Sequence, residues 1–211
     1  MNLTIFGASG GTGTCLVEQA LAAGHEITAV VRDAARLAVP QHPRLHVITA
    51  DIMDPDSITA AVTDADAVLT AVGPRGTGAT TVITDSVRSI IAAMQKTGAR
   101  RLLMLSGSIV ADDGESPYLR YLLKPFARRT FLRHVCADMR AGEAVVEASA
   151  LDWTIVRPPR LTSKPASGTY RTAVDRSLPH DFSVARADLA ACMLLLIDDP
   201  AAIGKHIGIA Q

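Results

Sequence analysis

The chain has 211 residues, 48% of them apolar, and its 21 basic and 21 acidic side chains cancel to a formal net charge of zero. That length carries one well-buried domain, no Pro/Gly/Ser-rich linker divides it, and the neutral balance argues against a nucleic-acid binder, which needs a basic excess. Cys15, Cys136 and Cys192 lack metal-ligand spacing, Met1 to Phe6 carries no secretory pattern, and the longest apolar run, Leu189 to Ile197, is too short for a bilayer, so the expectation is a cytoplasmic protein with reduced thiols, no metal and no membrane span.

In chain order, the apolar run Leu3 to Phe6 predicts a strand, and Thr14 to Ala23 a helix with Leu16, Val17, Ala20 and Leu21 on one face. Between them lies Gly7-Ala-Ser-Gly10-Gly-Thr-Gly13. Strand, glycine turn and helix aim free amides and the positive end of a helix dipole at one point, where a diphosphate fits. The spacing G-x-x-G-x-x-G departs from the dinucleotide fingerprint G-x-G-x-x-G, so the flanking elements carry the inference; a flexible surface turn is the alternative. Gly7 would make the tight turn, Gly10 would admit the ligand, and Gly13 would let helix and strand touch. Ser9 and Thr12 add hydroxyls.

Ile27 to Val31 predicts a second strand, and Arg32 ends it where the adenosine ribose would lie. An acidic residue there suits NAD, whereas an arginine suits the 2′-phosphate of NADP. Arg36 follows one turn on; the alternative is a solvated arginine pair. Leu45 to Thr49 is a third strand, with Asp51 placed to accept from the adenine amino group and Ile52 beside it. Asp54-Pro55-Asp56 starts a helix. Ala67 to Val72 is a fourth strand, closed by Gly73-Pro74-Arg75-Gly76.

The stripe Ile83, Val87, Ile90, Ile91 and Met94 predicts a packing helix over Ala79 to Thr97, stopped by Gly98. Leu102 to Leu105 is a fifth strand that delivers Ser106-Gly107-Ser108 to the carboxyl edge of the sheet, where ligands bind in open α/β folds. These serines either touch nicotinamide and substrate or merely form a turn. Residues 118 to 134 interleave half of the chain's aromatic residues with Arg120, Lys124, Arg128, Arg129 and Arg133 and hold no acid. Such a stretch suits a flat anionic ligand, a nucleic acid, a membrane surface, or a protein partner or self-association; the alternative is a helix or helix pair with aromatics inward and arginines in water.

A helix around Asp138 to Ala148 leads to a sixth strand, Trp153 to Val156, ending in Arg157-Pro158-Pro159-Arg160. The rigid proline turn would wall the nicotinamide, with Arg160 reaching toward substrate or phosphate. Ser183 to Asp188 would open the last helix, and Lys205 to Ala210 would close the sheet. The alternation predicts a single-domain, three-layer Rossmann-type doubly wound parallel sheet, with 108–137 and 160–185 on the substrate side.

The glycine turn, Val31-Arg32-Asp33, Asp51, Ala71-Val72-Gly73, Ser106, Leu151-Asp-Trp-Thr-Ile-Val-Arg-Pro158 and Ala187-Asp-Leu-Ala190 together resemble an atypical short-chain dehydrogenase/reductase of the NAD(P)H-binding, NmrA-like group. Val31 to Leu37 and Pro158 to Tyr170 are similar to its biliverdin-IX beta reductase, or flavin reductase, branch. The resemblance implies NADP(H) on Gly7, Ser9, Gly10, Gly11, Thr12, Gly13, Arg32, Arg36, Asp51, Ile52, Val72, Gly73, Arg75, Leu105 and Pro158. Ser106, Ser108, Tyr118 and Arg160 are the candidate catalytic residues. The superfamily's Tyr-x-x-x-Lys pair is missing after Tyr118 and Tyr121, Gly107 stands where the branch has a serine, and Arg160 where it has a histidine.

A tyrosine near its ordinary pKa of about 10 is a poor proton donor without a cationic neighbour, which disfavours alcohol dehydrogenation. The expectation is an NADPH-dependent reductase of a small, flat conjugated acceptor: a flavin, quinone or tetrapyrrole. A non-catalytic NADP(H) sensor signalling through 118–134, or an epimerase or dehydratase using Ser108 and Tyr118, are the alternatives.

Overall fold

The computed structural model describes all residues except 75, 77, 112–131 and 179–181. Successive side chains of the first strand, β1 (Asn2–Phe6), point to opposite faces of a sheet, which decides what each packs on. Leu3 and Ile5 join one apolar cluster with Leu16, Val17, Leu189 and Met193; Phe6 joins another with Ile58, Val87, Ile90 and Met94. The same parity divides Leu103 from Leu102 and Met104, so two cores form, one on each side of a single sheet.

That sheet contains β2 (Glu26–Val31), β3 (Leu45–Thr49), β4 (Ala67–Thr70), β5 (Arg101–Leu105), β6 (Asp152–Arg157), β8 (Arg171–Val174) and β10 (Lys205–Ala210) besides β1, in the order β3-β2-β1-β4-β5-β6-β10-β8. All neighbours run parallel except β8, which is antiparallel to β10. A separate parallel pair joins β7 (Arg160–Thr162) to β9 (Ser183–Ala185). Helices α1 (Gly11–Ala22) and α5 (Arg186–Leu195) cover one face; α2 (Pro55–Val62), α3 (Val82–Thr97) and α4 (Arg133–Glu147) cover the other. The fold is thus the expected three-layer Rossmann-like domain, and no described helix is long and apolar enough to cross a membrane.

Local chemistry sets the helix ends. Asp54 accepts the Asp56 amide at 3.0 Å with Pro55 in the first turn of α2, and Gly98, at φ +81°, donates to the Met94 carbonyl to stop α3. The N-terminus of α3 is capped from outside: the buried Asp138 of α4 accepts the amides of Ile83 and Thr84 at 3.0 and 2.9 Å and the Thr84 hydroxyl at 2.7 Å. At the opposite edge of the sheet the buried Arg101 donates to the carbonyls of Ile197, Leu196 and Asp152, closing the end of α5; burial lowers its pKa from the usual guanidinium value.

Several expectations need correction. α1 begins inside the glycine turn rather than at Thr14, because Gly11, Thr12 and Gly13 already take helical form. β4 ends at Thr70, so Val72 lies beyond the strand, and α3 starts at Val82, where the external cap sits, rather than at Ala79. α4 begins earlier than Asp138. Ser183 to Ala185 is a strand, not a helix opening, and α5 starts at Arg186. β10 does not close the sheet, since β8 adds beyond it, and β7, β8 and β9 interrupt the uniform β-α alternation.

Candidate functional site

The strand order reverses between β1 and β4, and the glycine turn leaves the sheet at that point. Gly7 has φ +77°, and a Cβ on it would stand 2.7 to 2.9 Å from the backbone of Ala71 and Val72, which cannot yield. A Cβ on Gly13 would stand 2.1 Å from the Gly7 carbonyl oxygen. The turn closes with the Gly10 amide on that oxygen at 2.9 Å, and the first intrahelical bond of α1 runs from Thr14 to Gly10 at 2.8 Å. The amides of Gly11, Thr12 and Gly13 are left without an acceptor among the described residues. α1 has no side-chain cap and no acid in its first turn, so its own residues do not offset its dipole there. This is a cradle for an anion.

Beside the turn opens a cleft of about 440 Å³, lined by Gly7, Ser9, Gly10, Val30, Val31, Arg32, Arg36, Ala50, Ile52, Met53, Ala71, Val72, Gly73, Pro74 and Val82. Eight of the expected cofactor residues therefore meet on one surface: Gly7, Ser9, Gly10, Arg32, Arg36, Ile52, Val72 and Gly73. Arg32 follows the last residue of β2, and Arg36 sits in a short 3-10 turn, Ala34–Arg36. The neighbouring Asp33 does not pair with either, because its carboxylate caps that turn through the Ala35 amide at 3.0 Å. Among the described residues neither arginine has an ion-pair partner, and both are exposed. Asp51, expected at the adenine, lies off the cleft wall with Oδ1 on the Met53 amide at 3.0 Å.

Leu105, Ser106, Ser108, Pro158 and Arg160 gather at the neighbouring strand ends, outside the cleft. The Ser106 amide donates to the Val156 carbonyl and the Ser108 amide to the Pro158 carbonyl, each at 2.8 Å, which fastens the loop after β5 to the proline turn. The Ser106 side chain is buried, and its Oγ has no partner among the described residues. An unsatisfied buried hydroxyl costs about 1–3 kcal/mol, so a partner brought to this oxygen would relieve that cost. Arg157, just before the prolines, is held bidentately by the buried Glu143 at 2.9 and 2.7 Å. Arg160 opens β7 and is exposed. Tyr118, Arg75 and almost all of the basic aromatic stretch 118–134 lie outside the described residues.

Sequence reasoning passed over three groups here. Glu143 fixes the arginine that precedes the proline turn. Arg186 reaches over Gly11 to the Ser163 hydroxyl. Asp188, buried in α5, accepts the amides of Ser167 and Gly168, the Ser167 hydroxyl and the Gln211 side chain, all within 3.0 Å. Burial alone would raise the Asp188 pKa, but these donors outweigh it and hold the carboxyl below its ordinary value. The Ala187-Asp-Leu-Ala190 string signalled Asp188 without its role; nothing local signalled Arg186.

No disulfide joins the three cysteines. Burial pushes Cys192 up to about 12, and burial with Glu18 raises Cys15, so neither is primed as a nucleophile. Glu143, Glu147 and His206 bring possible metal-ligand atoms within 4.8 Å of one another, but Glu143 already carries the Arg157 guanidinium and His206 Nε2 lies 2.9 Å from Glu147.

The fold is shared with a short-chain dehydrogenase/reductase of Veillonella parvula solved in complex with NADP, at a TM-score of 0.84 and 21% identity, covering all of this chain and 94% of that one. ChuY, an anaerobilin reductase of Escherichia coli O157:H7, matches at a TM-score of 0.78 and 25% identity over all of this chain and 97% of its own. In sequence the chain is 29% identical to YhfK of Bacillus subtilis, an uncharacterised protein named a sugar epimerase, over 94% of this chain and 89% of that one. An uncharacterised chloroplast protein of Arabidopsis thaliana is also 29% identical, over 89% of this chain and 68% of its own. The family model described as NAD(P)H-binding begins its match at the first glycine of the turn and runs over residues 7–200, and the chain belongs to that family.

Proposed function

We propose that this protein is an NADPH-dependent reductase that passes hydride to a flat conjugated acceptor: a flavin, a quinone or a linear tetrapyrrole. The observation that carries the reading is the pair Arg32 and Arg36, both on the cleft wall, both without a carboxylate partner among the described residues. A 2′-phosphate answers that charge; a bare ribose does not.

The coenzyme, when bound, supplies the hydride. The open amides of Gly11, Thr12 and Gly13 hold its diphosphate, and Arg32 with Arg36 selects the phosphorylated form. Leu105 and Pro158 wall the ring, and the Ser106 hydroxyl hydrogen-bonds the carboxamide or the acceptor. Hydride addition leaves an extended π-system with one negative charge. Arg160 is the exposed cation beside it, and a proton from solvent completes the two-electron reduction. A delocalised acceptor of this kind needs no Tyr-x-x-x-Lys proton donor, in keeping with the absence of that pair after Tyr118 and Tyr121. ChuY, named a reductase of the tetrapyrrole anaerobilin, supports that acceptor class.

Steady-state loss of NADPH absorbance with a panel of flavins, quinones and linear tetrapyrroles tests the reading. Turnover with at least one class is expected; none across the panel overturns it. The name of YhfK favours a second reading, an epimerase in which Ser108 and Tyr118 move protons. Its mark is a purified protein that retains bound dinucleotide and consumes no net NADPH.

A further inference from the structure

The two-stranded sheet places one cation that the reading above leaves unused. Leu161 pairs with Val184 and Thr162 with Ala185, so the parallel strands release Ser163 and Arg186 side by side, and Arg186 Nη1 donates to Ser163 Oγ at 2.9 Å. Arg186 is also the first residue of α5, which packs along α1. Its stem crosses that gap: Cδ and Nε lie 2.9 and 3.0 Å from the point where a Cβ on Gly11 would stand.

Gly11 is the first residue of α1. The guanidinium stem therefore rests on the very turn whose amides lack acceptors. A side chain at position 11 would displace it, which gives this glycine a reason distinct from those of Gly7 and Gly13, whose limits come from backbone. The charge of Arg186 is felt along the same turn, since it opposes the upward shift of the Cys15 thiol one turn further on. Among the described residues the hydrogen-bond partner of Arg186 is a neutral hydroxyl, and no carboxylate pairs with it. A hydroxyl is cheaply exchanged for an anion, and a planar fork suits two phosphate oxygens at once.

We infer that Arg186 is the second wall of the diphosphate site. The α1 amides hold the diphosphate from below, Arg186 holds it from the α5 side, and Ser163 keeps the guanidinium aimed while the site is open. The inference rests on the dinucleotide reading of the glycine turn and adds a binding residue to it from a remote part of the chain.

The test uses two probes on the full chain by calorimetry: NADP⁺, and adenosine 2′-monophosphate, which carries the 2′-phosphate but no diphosphate. Arg186→Gln is expected to weaken NADP⁺ roughly ten- to a hundredfold, the range for losing charge-assisted hydrogen bonds, and to leave adenosine 2′-monophosphate within about twofold. The salt dependence of NADP⁺ binding should also flatten. Arg32→Glu, by contrast, should weaken both probes. NADP⁺ affinity unchanged in Arg186→Gln overturns the inference, as does an equal loss for both probes. Should the wild-type chain bind neither probe, the dinucleotide reading falls and takes the inference with it. Should Arg186→Gln not fold, Gly11→Ala, which pushes the guanidinium aside, is expected to weaken NADP⁺ several-fold and spare adenosine 2′-monophosphate; equal affinity for NADP⁺ in that variant is the overturning result.

Discussion

Arg32 and Arg36 stand on the cleft wall with Asp33 between them in sequence, yet the acid is turned away to cap a 3-10 turn. The rim is therefore positive in fact as well as in formal charge. On the proposed reading, Arg32→Glu would exchange an attraction for a repulsion at the 2′-phosphate, and charge-assisted hydrogen bonds of about 1.5–3 kcal/mol would translate into a loss of roughly tenfold to more than a hundredfold for NADPH. NADH, which lacks that phosphate, should change by no more than a few-fold. Titrating both reduced coenzymes checks this, and an unaltered preference would remove Arg32 from the selection. This part of the site was legible in the sequence because turn, strand end and arginine are neighbours along the chain. Arg186 was not, since its approach to Gly11 depends on the β7–β9 register and on α5 lying against α1, neither of which a local pattern encodes. The position of Ser106 could be read from the end of β5; that its hydroxyl is buried and unpartnered could not.

Among the elements, α5 does more than cover the sheet. Through Asp188 it holds the turn at Ser167 and Gly168, and through the same carboxylate the Gln211 side chain beyond β10. Because these donors depress the folded pKa, the stabilisation is fully present above the unfolded value of about 3.9 and fades as pH falls through the lower folded value. Stability measured by urea unfolding should accordingly drop below about pH 4 in the wild type. Asp188→Asn, which keeps one acceptor oxygen, should lose about 1–3 kcal/mol at neutral pH, show a flatter acid limb, and expose the amides of 167 and 168 to faster hydrogen exchange. A variant with wild-type stability and exchange would show that the carboxylate is not the latch. The major elements were readable from apolar runs, from Asp54-Pro55 and from Gly98. The strands β7, β8 and β9 were not, being three or four residues long, the first two with exposed polar positions, so that their pairing rather than their composition makes them strands. The late start of α3 likewise follows from an external cap supplied by Asp138, 55 residues away from Ile83.

On the scale of the whole molecule, two cores share one sheet, and the sheet changes direction of growth between β1 and β4, where four residue pairs join Leu3 to Phe6 with Ala67 to Thr70. The cleft takes Arg32, Arg36 and Ile52 from one side of that line and Val72, Gly73 and Val82 from the other. A ligand that binds only the folded state stabilises it by about 2.7 kcal/mol at a hundred times its dissociation constant, which for a chain of this size raises the unfolding midpoint by roughly 5–11 °C. Scanning fluorimetry with NADPH should show that rise, and it should shrink in Arg32→Glu at the same concentration; a flat response would mean that nothing is held there. The reversal would thus give a bound nucleotide a mechanical part to play. Seated across the seam with a foot on either flank, it would act as a rivet, and a cell short of coenzyme would then carry this protein in a looser, more readily digested form.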